Sequence, residues 1–304
     1  KCNMQLSIII PTKNRQQVLL ESIEYALRAI ENFEAEIIVV NDGDAIHNLP
    51  ENDKLRLLDN NRQGASKARN MGGREAKYPL LFFIDDDMWI TSESCTAIKK
   101  LEEELFFSKN CSVLNWQFPD NLISEMKQDK IGRYLIKADF HTMEGRLKQK
   151  IDYTTNLFRV NSIGSGSFAI AKQLFFDIGG YNEGYTFQGE DIDLSERLNK
   201  SGIGIFISTG ITCYHNQRDR LEINLFLDRE YRGFLSQFRN SQSTISLNRI
   251  KQTIYTALIP FKIAFLLLFN IIPNRPIFDF ITFRTIGILS SIMYFKAWYN
   301  AENK

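Results

Sequence analysis

Three consecutive carboxylates, Asp85-Asp86-Asp87, follow directly on the apolar run Leu80-Leu-Phe-Phe-Ile84. With Tyr78-Pro79 before it, the run reads as a buried strand. Ionised acids at such a strand end are costly unless a cation meets them. Their mutual repulsion also raises their pKa values unless something compensates. Hard oxygen ligands favour Mg²⁺ or Mn²⁺, ions that reach proteins through one or two carboxylates plus substrate phosphates. The chemistry implied is a metal–diphosphate site, with a solvated acidic turn as the alternative. A second acidic pair, Glu190-Asp191, follows Gly189 and opens a helical pattern through Leu198. The helix dipole favours acids there, so a helix cap explains the pair as well as a catalytic role does. His215, in Cys213-Tyr-His215, is a lone histidine, a type more often structural or at the surface, and His47 and His141 carry no supporting pattern.

These residues need elements to hold them. Leu6-Ser-Ile-Ile-Ile10, closed by Pro11, reads as a first buried strand. Val18, Leu19, Ile23, Ala26, Leu27 and Ile30 then recur at helical spacing. Glu36-Ile-Ile-Val-Val40 is a second strand, ending in Asn41-Asp42-Gly43-Asp44, and Leu55 to Leu58 a third. Asn61 to Ala76 reads as a loop opening a helix, ahead of the fourth strand, Leu80 to Ile84. Strands alternating with helices predict a doubly wound, mostly parallel sheet flanked by helices. Ligands of such sheets sit beyond the carboxyl ends of the strands. Pro11-Thr-Lys-Asn-Arg15, Asn41 to Asp44 and Asp85 to Asp87 should therefore share one edge. No GxGxxG or GxxxxGK[ST] loop is present to grip a nucleotide.

In this order, the pieces resemble family 2 glycosyltransferases of the GT-A fold. The residues that carry the resemblance are Ser7-Ile-Ile-Ile-Pro-Thr-Lys-Asn-Arg15 and Ile38-Val-Val-Asn-Asp-Gly43, the latter close to VDDGS. Asn61 to Asn70 is similar to NxGxxxARN, and Phe83-Ile-Asp-Asp-Asp87 to the DxD element. Gly179-Gly-Tyr-Asn-Glu183 and Gly189-Glu-Asp-Ile-Asp-Leu-Ser-Glu-Arg197 resemble the GEDxDLxxRL segment shared with galactosyl- and N-acetylhexosaminyltransferases. The resemblance covers roughly residues 5–217.

It implies roles residue by residue. Pro11, Thr12 and Arg15 would border base and ribose, and Asp42 would accept a hydrogen bond from the base, as a uracil N3–H requires. Asn41 stands where the family usually has Asp. Arg69 is a candidate for the nucleotide or its diphosphate, with a helix-surface ion pair as the alternative. Asp85 would contact ribose or the metal's water shell, and Asp87 the metal itself, Mn²⁺ or Mg²⁺. Asp86 is the variable middle position without a fixed role. Ser165, Gly166 and Ser167 fall in the donor-sugar region, where small residues admit the sugar to the backbone. Asp191 aligns with the general base and Glu190 with a residue holding acceptor or donor sugar. His215 would complete the metal shell.

The formal net charge is +1, which excludes a nucleic-acid binder by charge. The charge is unevenly placed. Residues 1–217 hold 25 basic and 30 acidic residues, and residues 218–304 hold 12 and 6. Domains are expected at 1–217, catalytic, with a nucleotide-sugar half at about 1–110 and an acceptor half at about 111–217, and at 218–304, helical, basic and apolar. Within the second, Ala257 to Pro273 is almost wholly apolar but short for a span of about 20 residues. Ile281 to Tyr299 is a second apolar stretch containing Arg284 and Lys296. An interfacial helical pair, a buried hairpin or dimer contact, and a true span compete. The four cysteines, Cys2, Cys95, Cys111 and Cys213, show no CxxC or zinc spacing and point to a reducing compartment. Leu6 to Ile10 is too short for the core of a secretory leader, although a chain starting at Lys1 leaves room for a preceding segment. The expectation is an inverting, metal-dependent glycosyltransferase using a nucleoside diphosphate sugar, UDP-sugar favoured. Its acceptor would be a glycan or lipid-linked glycan of bacterial surface polysaccharide synthesis. It would be cytoplasmic, peripheral at the inner face of the membrane, with a homo-oligomer open. The alternatives are a sugar-1-phosphate nucleotidyltransferase and a non-catalytic carbohydrate-binding protein.

Overall fold

The computed structural model describes residues 5–61, 63–105, 109–164, 166–185, 188–218, 221–240, 253, 257 and 259–302. The strands are β1 Gln5–Thr12, β2 Glu34–Asn41, β3 Leu55–Asp59, β4 Leu80–Ile84, β5 Met88–Ile90, β6 Cys111–Gln117, β7 Leu157–Val160, β8 Ser167–Ala171 and β9 Ile205–His215. The α-helices are α1 Gln16–Ala29, α2 Ala65–Glu75, α3 Ser92–Leu105, α4 Asp120–Gln128, α5 Lys130–Lys137, α6 Met143–Leu147, α7 Lys172–Asp177, α8 Glu190–Lys200, α9 Ile223–Asn240, α10 Lys262–Ile271 and α11 Asp279–Glu302. The described chain divides into two compact units. One comprises residues 1–119, 141–186 and 190–216, and the other 120–140, 187–189 and 217–304.

The first unit holds one sheet in the order β3-β2-β1-β4-β8-β6-β9-β5, with β7 pairing β9. The β3-β2-β1-β4 half is parallel, as is the β6–β9 pair. β5, β7 and β8 run antiparallel to their neighbours, so the sheet is mixed. The unbroken apolar runs of β1, β2 and β4 are buried along almost their whole length, the pattern of strands covered on both faces. α1 turns Leu19, Ile23 and Ala26 inward, as its spacing predicts.

Register fixes what meets at the strand ends. Thr12 of β1 lies beside Asn41 of β2, and Ile84 of β4 beside Ser167 of β8. Met88 of β5, one residue past the acidic triplet, pairs with His215. In the sequence, Gly204 to Ser208 reads as a strand, with a loop separating it from His215. Instead the strand continues to His215 through a bulge opposite Asn115, whose amide donates to the Thr209 carbonyl at 2.8 Å. The extra residues around Gly210 interrupt the alternation without ending the pairing.

In the second unit α9 and α11 share a core of Leu227, Leu289, Ile292 and Met293. Ile131 of α5, Phe269 of α10 and Ile286 of α11 form another. Lys130 caps α10, donating to the carbonyls of Phe269 and Ile272, the latter at 3.1 Å. Arg133 grips Asp279 with Nε 3.0 Å and Nη2 2.8 Å from Oδ1. Residues Pro276–Ala301 are long and apolar enough to cross a membrane, with mean hydropathy 1.3. One side of that helix is nevertheless packed inside the protein.

Candidate active site at the strand ends

The structure brings the expected strand ends together and links them through cations. Arg15 donates from Nη1 to Asp86 and from Nη2 to Asp87 Oδ2 at 2.9 Å. Thr12 Oγ1 donates to Asp86 Oδ2 at 2.7 Å, and Ser22 Oγ to the Asp86 carbonyl at 2.7 Å. Asp86, expected to be without a role, is thus a buried latch tying the triplet to β1 and α1. A Thr four residues before a Ser-containing helix gave no sign of this in sequence.

Asp42 is buried at the end of β2. Its Oδ1 accepts from Asn60 Nδ2 at 2.6 Å and from the Gly64 amide at 2.8 Å. Its Oδ2 pairs at 3.0 Å with Lys13, whose side chain is 57% exposed. One oxygen is therefore fixed by the fold, and the other faces a partner that solvent can replace. Asn60 escaped the sequence reading, which began the third motif one residue later. Asn41 also gains a reason. Its amide donates to the Asp44 carbonyl at 2.9 Å while its oxygen accepts from the Gly43 amide at 3.0 Å. An aspartate can make only the second of these bonds.

Arg69, on α2, is buried and joins two motifs. Nη2 donates to Asp85 Oδ1 at 2.7 Å and Nη1 to Glu190 Oε1 at 2.9 Å. Its guanidinium carbon lies 5.2 Å from the centre of the Tyr181 ring. Asp85 and Glu190 hold the Arg69 pKa above its ordinary value despite the opposing effect of burial. Burial raises the Glu190 pKa, Arg69 lowers it and the neighbouring Asp191 raises it further, with burial winning. Glu190 Oε2 has no hydrogen-bond partner among the described residues. Asp191, better solvated, accepts at Oδ1 from the Ile192 amide at 2.9 Å, the helix N-terminus orienting it. Arg69, Asp85, Gly166, Ser167, Glu190 and Asp191 line a shallow cleft that opens to solvent.

The small residues beside the cleft are constrained. Gly166 has φ +109°, and a Cβ there would lie 3.2 Å from Met88 Sδ. The Ser167 hydroxyl is turned into the sheet, donating to the Leu114 carbonyl at 3.0 Å. Ser165 lies outside the described residues. Pro11, buried at the end of β1, supplies shape rather than polar atoms.

Asp87 is 1% exposed, and its Oδ1 lies 3.0 Å from His215 Nε2. The His215 ring is wedged edge-on against Trp116 and Phe118, with centroids 4.7 and 5.7 Å away. An imidazole nitrogen and a carboxylate oxygen at that separation, with Asp85 close in sequence, fit a divalent ion that accepts oxygen and nitrogen. Among the described residues no three His, Cys, Asp or Glu side chains form a complete ligand group.

Comparison with known proteins bears on the same segment. The chain is 27% identical over 241 residues to a hyaluronan synthase of Pasteurella multocida, covering 70% of this chain and 24% of that protein. It is 30% identical over 126 residues to an uncharacterized glycosyltransferase of Haemophilus influenzae, covering 37% of this chain and 42% of that one. The chain thus spans well under half the length of these relatives. Among solved structures it is similar to GalNAc-T7 with UDP, GalNAc and Mn²⁺, with TM-score 0.53, 17% identity and coverage of 70% and 43%. It is also similar to S. aureus TarS 1–349, with TM-score 0.50, 12% identity and coverage of 99% and 92%. These likenesses show the GT-A fold. The glycosyl transferase family 2 model matches residues 7–175, which hold the sheet edge and the acidic triplet, and the chain belongs to that family.

Proposed function

We propose that this chain is an inverting, metal-dependent glycosyltransferase. It moves a sugar from a nucleoside diphosphate sugar, UDP-sugar first, to a hydroxyl of a glycan or lipid-linked acceptor in bacterial surface polysaccharide synthesis. It works at the inner face of the cytoplasmic membrane. One observation carries the reading: Arg69 bridges Asp85 and Glu190, so that the first acid of the triplet and the Glu190-Asp191 pair line one cleft. The neighbour structure with UDP, GalNAc and Mn²⁺ supports the donor class and the metal. Family membership, and a β1 turn without glycine, weigh against nucleotidyl transfer.

Asp42 Oδ2 is the oxygen offered to a base N–H, since Oδ1 is already taken. Pro11, Thr12 and Arg15 border base and ribose. Gly166 and Ser167 form the wall where a donor sugar approaches the backbone. Asp87, His215 and Asp85 would hold Mn²⁺ or Mg²⁺. When bound, the ion acts as a Lewis acid for the leaving diphosphate. Asp191 takes the proton of the acceptor hydroxyl, a contribution of about 10²–10⁴-fold. The acceptor oxygen bonds to the anomeric carbon from the face opposite the diphosphate. The anomeric C–O bond breaks, its electron pair leaves with the diphosphate, and the configuration inverts. Glu190, held by Arg69, positions the sugar hydroxyls.

Hydrolysis and transfer assays over UDP-, GDP- and dTDP-sugars, with and without Mn²⁺, test the proposal. Metal-dependent turnover of a UDP-sugar is expected. A chain that neither binds nor turns over any of these donors sinks the reading.

A further inference from the structure

The second unit carries a large apolar surface on its outside. Ile263, Leu267 and Ile271 are 70%, 60% and 75% exposed and form an i, i+4, i+8 stripe along α10. Ile277 at 83% and Phe280 at 72% extend it past the turn after α10. A helix in water ordinarily turns such a stripe to the core. Here Phe269, on another side of α10, makes the core contact instead. Contiguous apolar surface of this kind marks a site of interaction.

The charges around it indicate with what. Residues 257–278 contain no Asp or Glu. Arg275 and Arg284 are exposed and form no ion pair among the described residues. The Arg284 guanidinium carbon lies 5.3 Å from the centre of the Phe280 ring. Asp279, the acid at the start of α11, is already taken by Arg133. A second copy seated on this patch by two-fold symmetry would bring cationic edge to cationic edge. An anionic bilayer meets both features, taking the apolar side chains below its headgroups and the arginines at them.

We propose that α10 and the first turn of α11 lie in the plane of an anionic phospholipid surface. The inference rests on the membrane setting proposed above and names the surface that serves it. α11 does not span. Its Leu289, Ile292 and Met293 are buried against α9, and Ser290 Oγ bonds Glu230 Oε2 at 2.9 Å. Insertion of α11 alone would break that core, and insertion together with α9 would carry Glu230 into hydrocarbon.

The test is co-sedimentation of the intact chain with vesicles of phosphatidylglycerol and phosphatidylcholine in equal parts, and of phosphatidylcholine alone. Binding to the anionic vesicles, weakening with salt, is expected. The double variant Ile271→Glu/Ile277→Glu should bind at least about tenfold more weakly, with an unchanged circular dichroism spectrum and melting point. Arg275→Ala and Arg284→Ala should each lose about fivefold on anionic vesicles. UDP binding should be unaltered in every variant, so lipid partition decides this proposal and nucleotide binding decides the previous one. Wild-type-like sedimentation of the double variant overturns the proposal. So does a wild type that ignores vesicles and forms a dimer that the double variant dissociates.

Discussion

Arg69 stands between two carboxylates that lie 105 positions apart, Asp85 and Glu190. A buried carboxylate without a partner would neutralise or destabilise the fold. The arginine lets the site keep acids at high density, and Arg15 does the same for Asp86 and Asp87. Glu190 remains the strained member. Its pKa lies above the ordinary 4.5 because burial outweighs Arg69. A carboxyl raised on folding contributes stability that is fully present below its unfolded pKa and is lost as pH rises through the folded one. Glu190→Gln keeps an oxygen for Arg69 and removes the titration. Its melting temperature should therefore improve relative to wild type as pH rises from about 4.5 toward neutrality. A difference that stays flat across that range, measured by calorimetry, refutes the assignment. Asp191→Asn should keep UDP binding and lose roughly 10²–10⁴-fold in transfer rate. Normal transfer by that variant would mean that the base is another group. The types and order of Asp42, Asp85, Asp87 and Asp191 were legible in the sequence because strand ends and a helix start announce themselves. The latch at Asp86 and the clamp by Asn60 were not, since both depend on partners brought near by folding.

At the scale of elements, Asn61 to Asn70 and Gly179 to Glu183 prove to be two halves of one construction. Asn70 accepts from the Tyr181 amide at 2.9 Å and donates to its carbonyl at 2.8 Å. Arg197 of α8 donates to the carbonyls of Ile178 and Gly180 at 2.7 Å. The turn seats Tyr181 beneath Arg69. Gly180 has φ +64°, and a Cβ there would come within 2.8 Å of Asn70 Oδ1. Gly180→Ala should therefore cost about 1–2 kcal/mol from the left-handed backbone alone, with the contact adding to it. It should also slow transfer by tilting Tyr181. Denaturant unfolding and a kcat measurement check both, and an unchanged midpoint would show that the turn adapts. The strands and α1 could be read from their apolar periods. β9 past Ser208 could not, because a bulge hides the alternation.

At the scale of the molecule, the first 217 residues are net acidic and the remainder net basic. The first unit gathers the carboxylates, and the second carries the apolar and cationic surface. The two-part charge was plain in composition, but the grouping of α4 and α5 with the C-terminal helices was not. Their polar sequence conceals ties such as Arg133 to Asp279, 146 positions apart. The metal site proposed above predicts a response of the whole chain. A ligand that binds only the folded state stabilises it by about 2.7 kcal/mol at 100 times its dissociation constant. For a domain of this size that corresponds to a rise of roughly 5–10 °C in melting temperature. UDP with Mn²⁺ should produce such a rise, and excess EDTA should remove most of it. UDP alone should give little, because Arg69 and Arg15 are already engaged by Asp85 and Asp87 and leave the diphosphate charge without a cation of its own. Asp87→Ala should behave with Mn²⁺ as wild type does with EDTA. A full shift by UDP in EDTA would show that the arginines alone hold the diphosphate, with Asp87 and His215 forming a structural pair.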